Sequence, residues 1–236
     1  MQTLMLKTQE LPYEINEELK SLRTNIQFCG DDKRVILMTS AFSGEGKSTI
    51  ALDLARSFTE LGKRVLLIDA DMRKSVLMHN LSQRYKDLPG LSHFLSGQSK
   101  GSEVICRTNI KNLFIVHSGK VPPNPAELIA KPQMANLIEV GREFCDYVII
   151  DCPPIGMVVD AAVVAPYCDG SIILIESGEV KYRLAQEVVA KMEATKCPIL
   201  GVVLNKVNLH KNGSYYGRYY GKYYGRYKGY YQEEEA

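Results

Sequence analysis

The stretch Ala41–Thr49, AFSGEGKST, has the residue types and spacing of a phosphate-binding loop, although alanine stands where the first glycine is usual. It lies between an apolar run and a helical run, the setting in which backbone amides and a helix N-terminus bind phosphate oxygens. We expect Lys47 to neutralise the β- and γ-phosphates and the Ser48 hydroxyl to bind Mg²⁺. The nucleotide-binding residues predicted from this loop are Ser43, Gly44, Glu45, Gly46, Lys47, Ser48 and Thr49.

Three aspartates follow two other apolar runs. Asp69 and Asp71 stand at the end of RVLLIDA and just after it, and Asp151 ends YVIID. One aspartate at a strand end is commonly a turn former, but three of them beside a phosphate loop indicate phosphoryl-transfer chemistry. We predict that Lys47, Asp69, Asp71 and Asp151 are catalytic, and that Ser48, Asp71 and Asp151 hold Mg²⁺, which needs few protein ligands beside phosphate oxygens. The sequence leaves open which of Asp69 and Asp71 orients the acceptor hydroxyl and which serves the metal. The preferred interpretation gives the hydroxyl to Asp69 and a water-mediated metal contact to Asp71.

The segment GSYYGRYYGKYYGRYKGYYQ, residues 213–232, supplies candidate acceptor hydroxyls. It contains nine of the fourteen tyrosines, separated by glycine and basic residues, and it has no aliphatic residues with which to form a core. Stacking on single-stranded nucleic acid and simple self-association are alternative interpretations, and the acidic end of the chain disfavours the first. The predicted phospho-acceptors are Tyr215, Tyr216, Tyr219, Tyr220, Tyr223, Tyr224, Tyr227, Tyr230 and Tyr231.

The segment GVVLNKVNL, residues 201–209, is a candidate base-binding element. Asn205-Lys206 is similar to the base-reading NKxD motif of GTPases, but Asn208 replaces its aspartate. This replacement favours ATP over GTP, and Asn205 joins the predicted nucleotide-binding residues. A polar strand end without a function is the open alternative.

Apolar, β-branched runs alternate with longer helical stretches, and this order positions the motifs. The strand candidates are residues 34–40, 64–70, 113–118, 147–151, 171–176 and 199–205. Most are apolar on both faces, as in a parallel sheet covered by helices on each side. We therefore predict an α/β, doubly wound, mostly parallel sheet of the P-loop NTPase type. The predicted divisions are an N-terminal lead and helix (1–30), a catalytic domain (31–208) and a flexible, disordered tyrosine-rich tail (209–236).

Composition excludes several classes of protein. The 236 residues are 45% hydrophobic and 24% charged, and the net charge of +2 does not indicate a dedicated nucleic-acid binder. The six cysteines form no CxxC pair and are interpreted as reduced thiols of a cytoplasmic protein. No apolar run approaches the roughly 18 residues of a membrane span, so direct membrane insertion is not expected.

Taken together, AFSGEGKST, LLIDADMRKS, VIIDCPP and the tyrosine-rich end resemble the bacterial tyrosine kinases of capsule and exopolysaccharide synthesis. The similarity covers nearly the whole chain and includes EELKSLRTNI, GLSHFLSG and SGKVPPNPAELI; it is to the form whose kinase is a separate cytoplasmic subunit. The resemblance implies ATP and Mg²⁺ as cofactors and autophosphorylation of the tyrosine cluster in trans, within a ring of subunits. It assigns the ring contact to Glu17, Lys20 and Arg23, with lysine where the family has an arginine able to form a bidentate pair.

The same resemblance implies partners. They are a membrane-anchored chain-length regulator, which activates the kinase and recruits it to the inner face of the plasma membrane, and a cognate tyrosine phosphatase. The alternative is a nucleotide-dependent switch ATPase similar to the ParA and MinD group, which would control partner assembly. Those ATPases carry a second lysine two residues into the phosphate loop, and Phe42 stands at that position here. Phe42 therefore favours the kinase.

Overall fold

A computed structural model describes residues 2–7, 10–77 and 87–207 of the chain. Eight strands form one sheet in the order β1-β4-β5-β3-β6-β2-β7-β8. The strands are β1 (Thr3–Leu4), β2 (Val35–Ser40), β3 (Val65–Asp69), β4 (Cys106–Thr108), β5 (Leu113–Val116), β6 (Tyr147–Asp151), β7 (Gly170–Glu176) and β8 (Ile199–Asn205). All neighbouring strands are parallel except β4 and β5, which pair antiparallel, so the predicted mostly parallel sheet is confirmed.

Helices cover both faces of this sheet. They are α1 (Tyr13–Phe28), α2 (Lys47–Glu60), α3 (Leu91–Leu95), α4 (Gly101–Val104), α5 (Pro125–Ile129), α6 (Pro132–Phe144), α7 (Asp160–Val164) and α8 (Tyr182–Glu193), with a 3₁₀ turn at Ala165–Tyr167. Within the described part of the chain, no helix is both long and apolar enough to span a bilayer.

The hydrophobic core consists of two clusters, one on each face of the sheet. On one face, α1 and α2 contribute Ile26, Leu54 and Phe58 against strand residues that include Ile36 and Leu67. On the other face, α3, α5, α6, α7 and α8 contribute side chains of the second cluster. The central strands are buried on both sides because helices cover each face, which explains their continuous apolar sequences and confirms the doubly wound fold.

Three neighbouring strands bring the predicted functional segments together. The phosphate loop follows β2, the Asp69 segment ends β3, and Asp151 ends β6, which lies between β2 and β3. Asp151 is in register with Asp69 on one side and with Met38 on the other. Parallel strands place all these ends at one edge of the sheet, called here the carboxyl edge, where ligands of this fold class bind.

The N-terminal residues join the sheet through a contact that the sequence did not predict. Thr3–Leu4 pair in parallel with β4, and Leu4 is fully buried. Strands of two and three residues are too short to show a periodic pattern, so both were missed. The division of the chain into three pieces stays a prediction, and the tail assigned to residues 209–236 lies outside the described residues.

Candidate active site

The loop between β2 and α2 has the backbone shape of an anion cradle. Gly44 and Gly46 have φ angles of 93° and 88°, in the left-handed region that glycine adopts without a Cβ clash. α2 begins at Lys47, so the positive end of its dipole points toward the cradle. Ser43, Lys47, Ser48 and Thr49 line a cleft of about 200 Å³ together with both glycines and Asp71. The loop is therefore built to bind an anion.

Lys47, which lines this cleft, forms a buried ion pair with Asp151. Burial opposes the charged form of Lys47, but the attraction of Asp151 outweighs it and raises the pKa of the lysine. The Ser48 hydroxyl lies 3.4 Å from the Lys47 ammonium. The two predicted Mg²⁺ ligands Ser48 and Asp151 therefore border the same lysine.

Asp69 and Asp71 lie beside this pair and have different surroundings. Burial and the negative charge of Asp151 raise the pKa of Asp69 to about 7, although the Ser75 hydroxyl donates a hydrogen bond to its carboxylate. Asp71 lines the cleft, and its Oδ1 accepts hydrogen bonds from the backbone amides of Arg73 at 3.2 Å and Lys74 at 2.9 Å. Asp69 thus has the proton affinity of a group that titrates near neutral pH, and Asp71 holds the shape of its loop.

A second ion pair fixes the loop that carries Asp71. The guanidinium of Arg73 contacts the carboxylate of Asp160 at 3.1 Å, and Asp160 is fully inaccessible to solvent. Sequence reasoning did not find Asp160, because it is 87 residues from Arg73 and starts a short helix without a recognisable motif. This pair connects the Asp71 loop to the segment that follows Asp151.

Glu45 and Asn205 were predicted to bind nucleotide, and both contact the phosphate loop itself. The buried carboxylate of Glu45 accepts hydrogen bonds from the amides of Phe42 at 2.8 Å and Glu176 at 3.0 Å. Asn205 donates its side-chain amide to the carbonyl of Glu45 at 2.7 Å. The ammonium of Lys206 reaches the Gly44 carbonyl at 2.8 Å. Residues at the ends of β7 and β8 therefore stabilise the loop through these hydrogen bonds. A direct contact of Glu45 or Asn205 with nucleotide stays a prediction.

The carboxylates of the site do not form a self-sufficient metal cage. Among the described residues, no group of three or more histidine, cysteine, aspartate or glutamate side chains is arranged to hold a metal. Such a site fits Mg²⁺, which commonly takes one or two protein oxygens and completes its shell with phosphate oxygens and water. The assignment of Ser48, Asp71 and Asp151 to the metal stays a prediction.

The three residues assigned to a ring contact lie on α1, away from the cleft. Glu17 and Lys20 form an exposed ion pair at 2.7 Å. Arg23 is buried and donates hydrogen bonds to the carbonyl and hydroxyl oxygens of Ser57 on α2, at 2.6 and 3.0 Å. Their role between subunits stays a prediction. The nine predicted acceptor tyrosines lie outside the described residues.

Comparisons with known proteins identify the family. The family model described as an AAA domain matches residues 33–194. Tyrosine-protein kinase CpsD of Streptococcus pneumoniae serotype 4 is 42% identical over 214 residues, which cover 90% of this chain and 94% of that protein. The chain belongs to the bacterial tyrosine-protein kinases. The family resemblance drawn from the sequence motifs is confirmed, and the enzyme is a protein-tyrosine kinase.

Solved structures agree with this assignment. The chimerical protein CapA2B2 is 33% identical to this kinase, with a TM-score of 0.78 over 86% of this chain and 93% of that one. The kinase domain of Escherichia coli tyrosine kinase ETK is 28% identical, with a TM-score of 0.79 over 89% of this chain and 85% of that one. The septum site-determining protein MinD of Pyrococcus horikoshii is 23% identical, with a TM-score of 0.63 over 75% and 72% of the two chains. This last likeness shows the fold alone.

Proposed function

We propose that this kinase transfers the γ-phosphoryl group of ATP, with Mg²⁺, to the nine tyrosines of residues 215–231, and that it does so in trans within a ring of subunits. The observation that carries the proposal is the Lys47–Asp151 ion pair, with Asp69 in register beside it, at the end of a glycine-bearing anion cradle. The similarity to tyrosine-protein kinases over most of the chain supports tyrosine as the acceptor.

The residues present fit a Mg²⁺-bound triphosphate. The left-handed glycines let the loop turn into the start of α2, where amides and the helix dipole favour an anion. Lys47 would contact the β- and γ-phosphates, and Ser48, Asp71 and Asp151 would hold the metal. When bound, Mg²⁺ would neutralise charge that develops on the phosphate oxygens.

Asp69 is assigned to the acceptor hydroxyl. A phenol has a pKa near 10, so it reaches the site protonated at neutral pH and gains from a carboxylate that accepts its proton. Burial of Asp69 beside Asp151 raises its pKa to about 7, which brings it closer to that of the phenol than an exposed carboxylate would be. Asp71, whose oxygens bind loop amides, is assigned to a water-mediated metal contact.

Regulation is proposed to follow from assembly and from the tail. Glu17, Lys20 and Arg23 would contribute to the ring, and a membrane-anchored chain-length regulator would activate the kinase and recruit it to the inner face of the plasma membrane. A cognate tyrosine phosphatase would remove the phosphates from the tail tyrosines. Nine phosphates would add roughly −14 to −18 charges to a tail of net charge +2, enough to change its contacts. The process regulated in this way would be the synthesis and export of capsule or exopolysaccharide.

Incubation with γ-labelled ATP, Mg²⁺ and a peptide from the activator tests the proposal. We expect label to remain on the protein and intact mass to rise in steps of one phosphate. A variant with all nine tail tyrosines changed to phenylalanine has the same loop and carboxylates, and it should retain nucleotide binding but lose the label. Release of free phosphate from unlabelled wild-type protein would instead indicate the switch ATPase.

A mixing experiment tests transfer in trans. The variant Lys47→Met, which keeps its tyrosines, is combined with the variant lacking tail tyrosines, which keeps its catalytic residues. Label on the Lys47→Met chain supports transfer between subunits. If the mixture stays unlabelled while wild-type protein is labelled in parallel, each chain phosphorylates only its own tail.

A further inference from the structure

Lys74 is the second lysine that lines the cleft, and the proposed function gives it no role. It lies five residues beyond the end of β3 and lines the same cleft as Lys47, Ser48 and Asp71. Its side chain is exposed. Among the residues that the structure describes, no carboxylate forms an ion pair with the Lys74 ammonium.

The two lysines of the cleft therefore differ in whether a carboxylate already balances their positive charge. The ammonium of Lys47 is buried and paired with Asp151, so one carboxylate already balances it. Lys74 is exposed and lines the cleft, so a phosphate group that binds there would meet its ammonium without breaking an ion pair. A cation that is not already paired has more to gain from a ligand anion.

The backbone around Lys74 is held in place although its side chain is exposed. Its amide donates to the Oδ1 of Asp71 at 2.9 Å, and the amide of Arg73 donates to the same oxygen at 3.2 Å. The Arg73 guanidinium contacts the fully buried Asp160 at 3.1 Å. The lysine thus projects from an anchored backbone, which lowers the entropic cost of positioning its ammonium.

The phosphate loop itself supplies no second cation. Phe42 occupies the position two residues into the loop, and its backbone amide is bound by the Glu45 carboxylate. Phosphoryl transfer depends on neutralising charge on the oxygens of the group that moves. Here Asp71 lines the cleft, and Asp151, which is in register with Asp69, already balances the charge of Lys47. Lys74 is a further cation that lines this cleft and would meet the requirement.

We propose that Lys74 is a catalytic residue whose ammonium contacts the transferred phosphoryl group. The inference rests on the kinase function proposed above. In the step, the bond between the γ-phosphorus and the bridging oxygen breaks, and its electron pair leaves with ADP. A bond forms from the phenol oxygen to phosphorus, and the phenol proton passes to a carboxylate or to solvent. Lys74 keeps all its protons and stabilises the charge in transit.

Nucleotide binding gives a test that does not depend on turnover. Because the contact is to the γ-phosphoryl group, Lys74→Ala should weaken binding of a non-hydrolysable ATP analogue with Mg²⁺ by about tenfold, while ADP affinity changes less than about twofold. Single-turnover transfer to the tail should fall about 10²- to 10³-fold. Lys74→Arg, which keeps the charge, should recover most of both losses.

Lys111→Ala is the matched control. Lys111 is an exposed lysine in the turn before β5, at the opposite edge of the sheet, so its removal changes net charge without touching the cleft. An equal loss of ADP and ATP-analogue affinity in Lys74→Ala, or transfer at the wild-type rate, would overturn the proposal. Wild-type protein that incorporates no phosphate would refute the kinase function, and the ratio of the two affinities would still decide whether Lys74 contacts the γ-phosphate.

Discussion

Charged side chains at the carboxyl edge of the sheet and on the outer surface of α1 lie in opposite environments. At the carboxyl edge, Lys47 and Asp151 are 6% and 3% exposed and contact each other. On α1, the ion pair of Lys20 and Glu17 has side chains that are 41% and 38% exposed. Both are lysine–carboxylate pairs, yet only the first excludes solvent.

This difference in exposure sets how much free energy each pair loses when one partner is removed. Removing one partner of a buried ion pair leaves an uncompensated charge, a change that typically costs about 3–5 kcal/mol, whereas an exposed pair is screened by water and salt. A protein keeps buried charges where geometry or chemistry needs them. Lys47, Asp69, Asp71 and Asp151 are all buried at the carboxyl edge, whereas α1 has one buried charged residue, Arg23, which contacts α2.

The largest expected effect is at Lys47. Lys47→Met removes the cation of the phosphate cradle and leaves Asp151 buried without its partner. We expect phosphoryl transfer to the tail to fall by about 10³-fold or more, measured with γ-labelled ATP. The control is Lys111→Met, the same change at an exposed lysine away from the cleft. Labelling above a tenth of the wild-type rate in Lys47→Met would remove the phosphate loop from the mechanism.

The second prediction concerns His117, which follows β5 one strand beyond Asp69. His117 is fully buried, and burial, with a smaller contribution from His93, lowers its pKa to about 4. Below pH 6.5 the unfolded chain binds the proton more readily than the folded chain, so stability falls as the pH decreases toward 4. Between pH 7.5 and pH 5 the loss from this group should be about 2 kcal/mol.

Denaturant unfolding at the two pH values measures this loss. His117→Asn keeps an acceptor for the amide of Gly119, which donates to Nδ1 at 3.2 Å, but cannot be protonated. We expect the variant to show a correspondingly smaller decrease in unfolding free energy between pH 7.5 and pH 5. Equal pH dependence in both proteins would assign the effect to other groups.

The sequence predicted the carboxyl edge well because its signals are local. The phosphate loop, the run before Asp69 and the run before Asp151 each combine an apolar strand with a polar end, and strands of this kind must place their ends together in a parallel sheet. β6 and β8 begin and end at the predicted residues, 147–151 and 199–205. Only the pairing between strands had to be supplied by the fold.

Contacts between distant segments could not be read in this way. The Arg73–Asp160 pair, the Lys206 contact with Gly44 and the pairing of Thr3–Leu4 with β4 each join residues more than 80 positions apart. Nothing in the local pattern around Asp160 distinguishes it from an ordinary polar residue at the start of a helix. Only the burial created by the complete fold does so.

The third prediction tests the buried charge of α1. Arg23→Ala removes hydrogen bonds to the carbonyl and hydroxyl oxygens of Ser57 and leaves that buried carbonyl without this donor. We expect unfolding free energy to fall by about 1.5 kcal/mol, as for other buried hydrogen bonds from charged donors. Urea unfolding at low protein concentration measures it. No change in the urea midpoint would mean that water replaces the guanidinium without cost.

The smallest effect on stability is expected at Lys20. Lys20→Arg and Lys20→Ala should leave the urea midpoint unchanged at low protein concentration, because the partner Glu17 is exposed and solvated. If this pair contributes to a ring contact, the two variants should instead differ in assembly. Arginine can form a bidentate pair with a carboxylate and lysine cannot, so Lys20→Arg should assemble at lower concentration than wild type, and Lys20→Ala at higher concentration.

Sedimentation velocity across a range of protein and salt concentrations separates these outcomes. Rising salt should weaken assembly of the wild type and of Lys20→Arg, because salt screens exposed charges. Identical sedimentation of all three proteins would show that the charge of Lys20 does not contribute to assembly, and would remove this residue from the proposed ring contact.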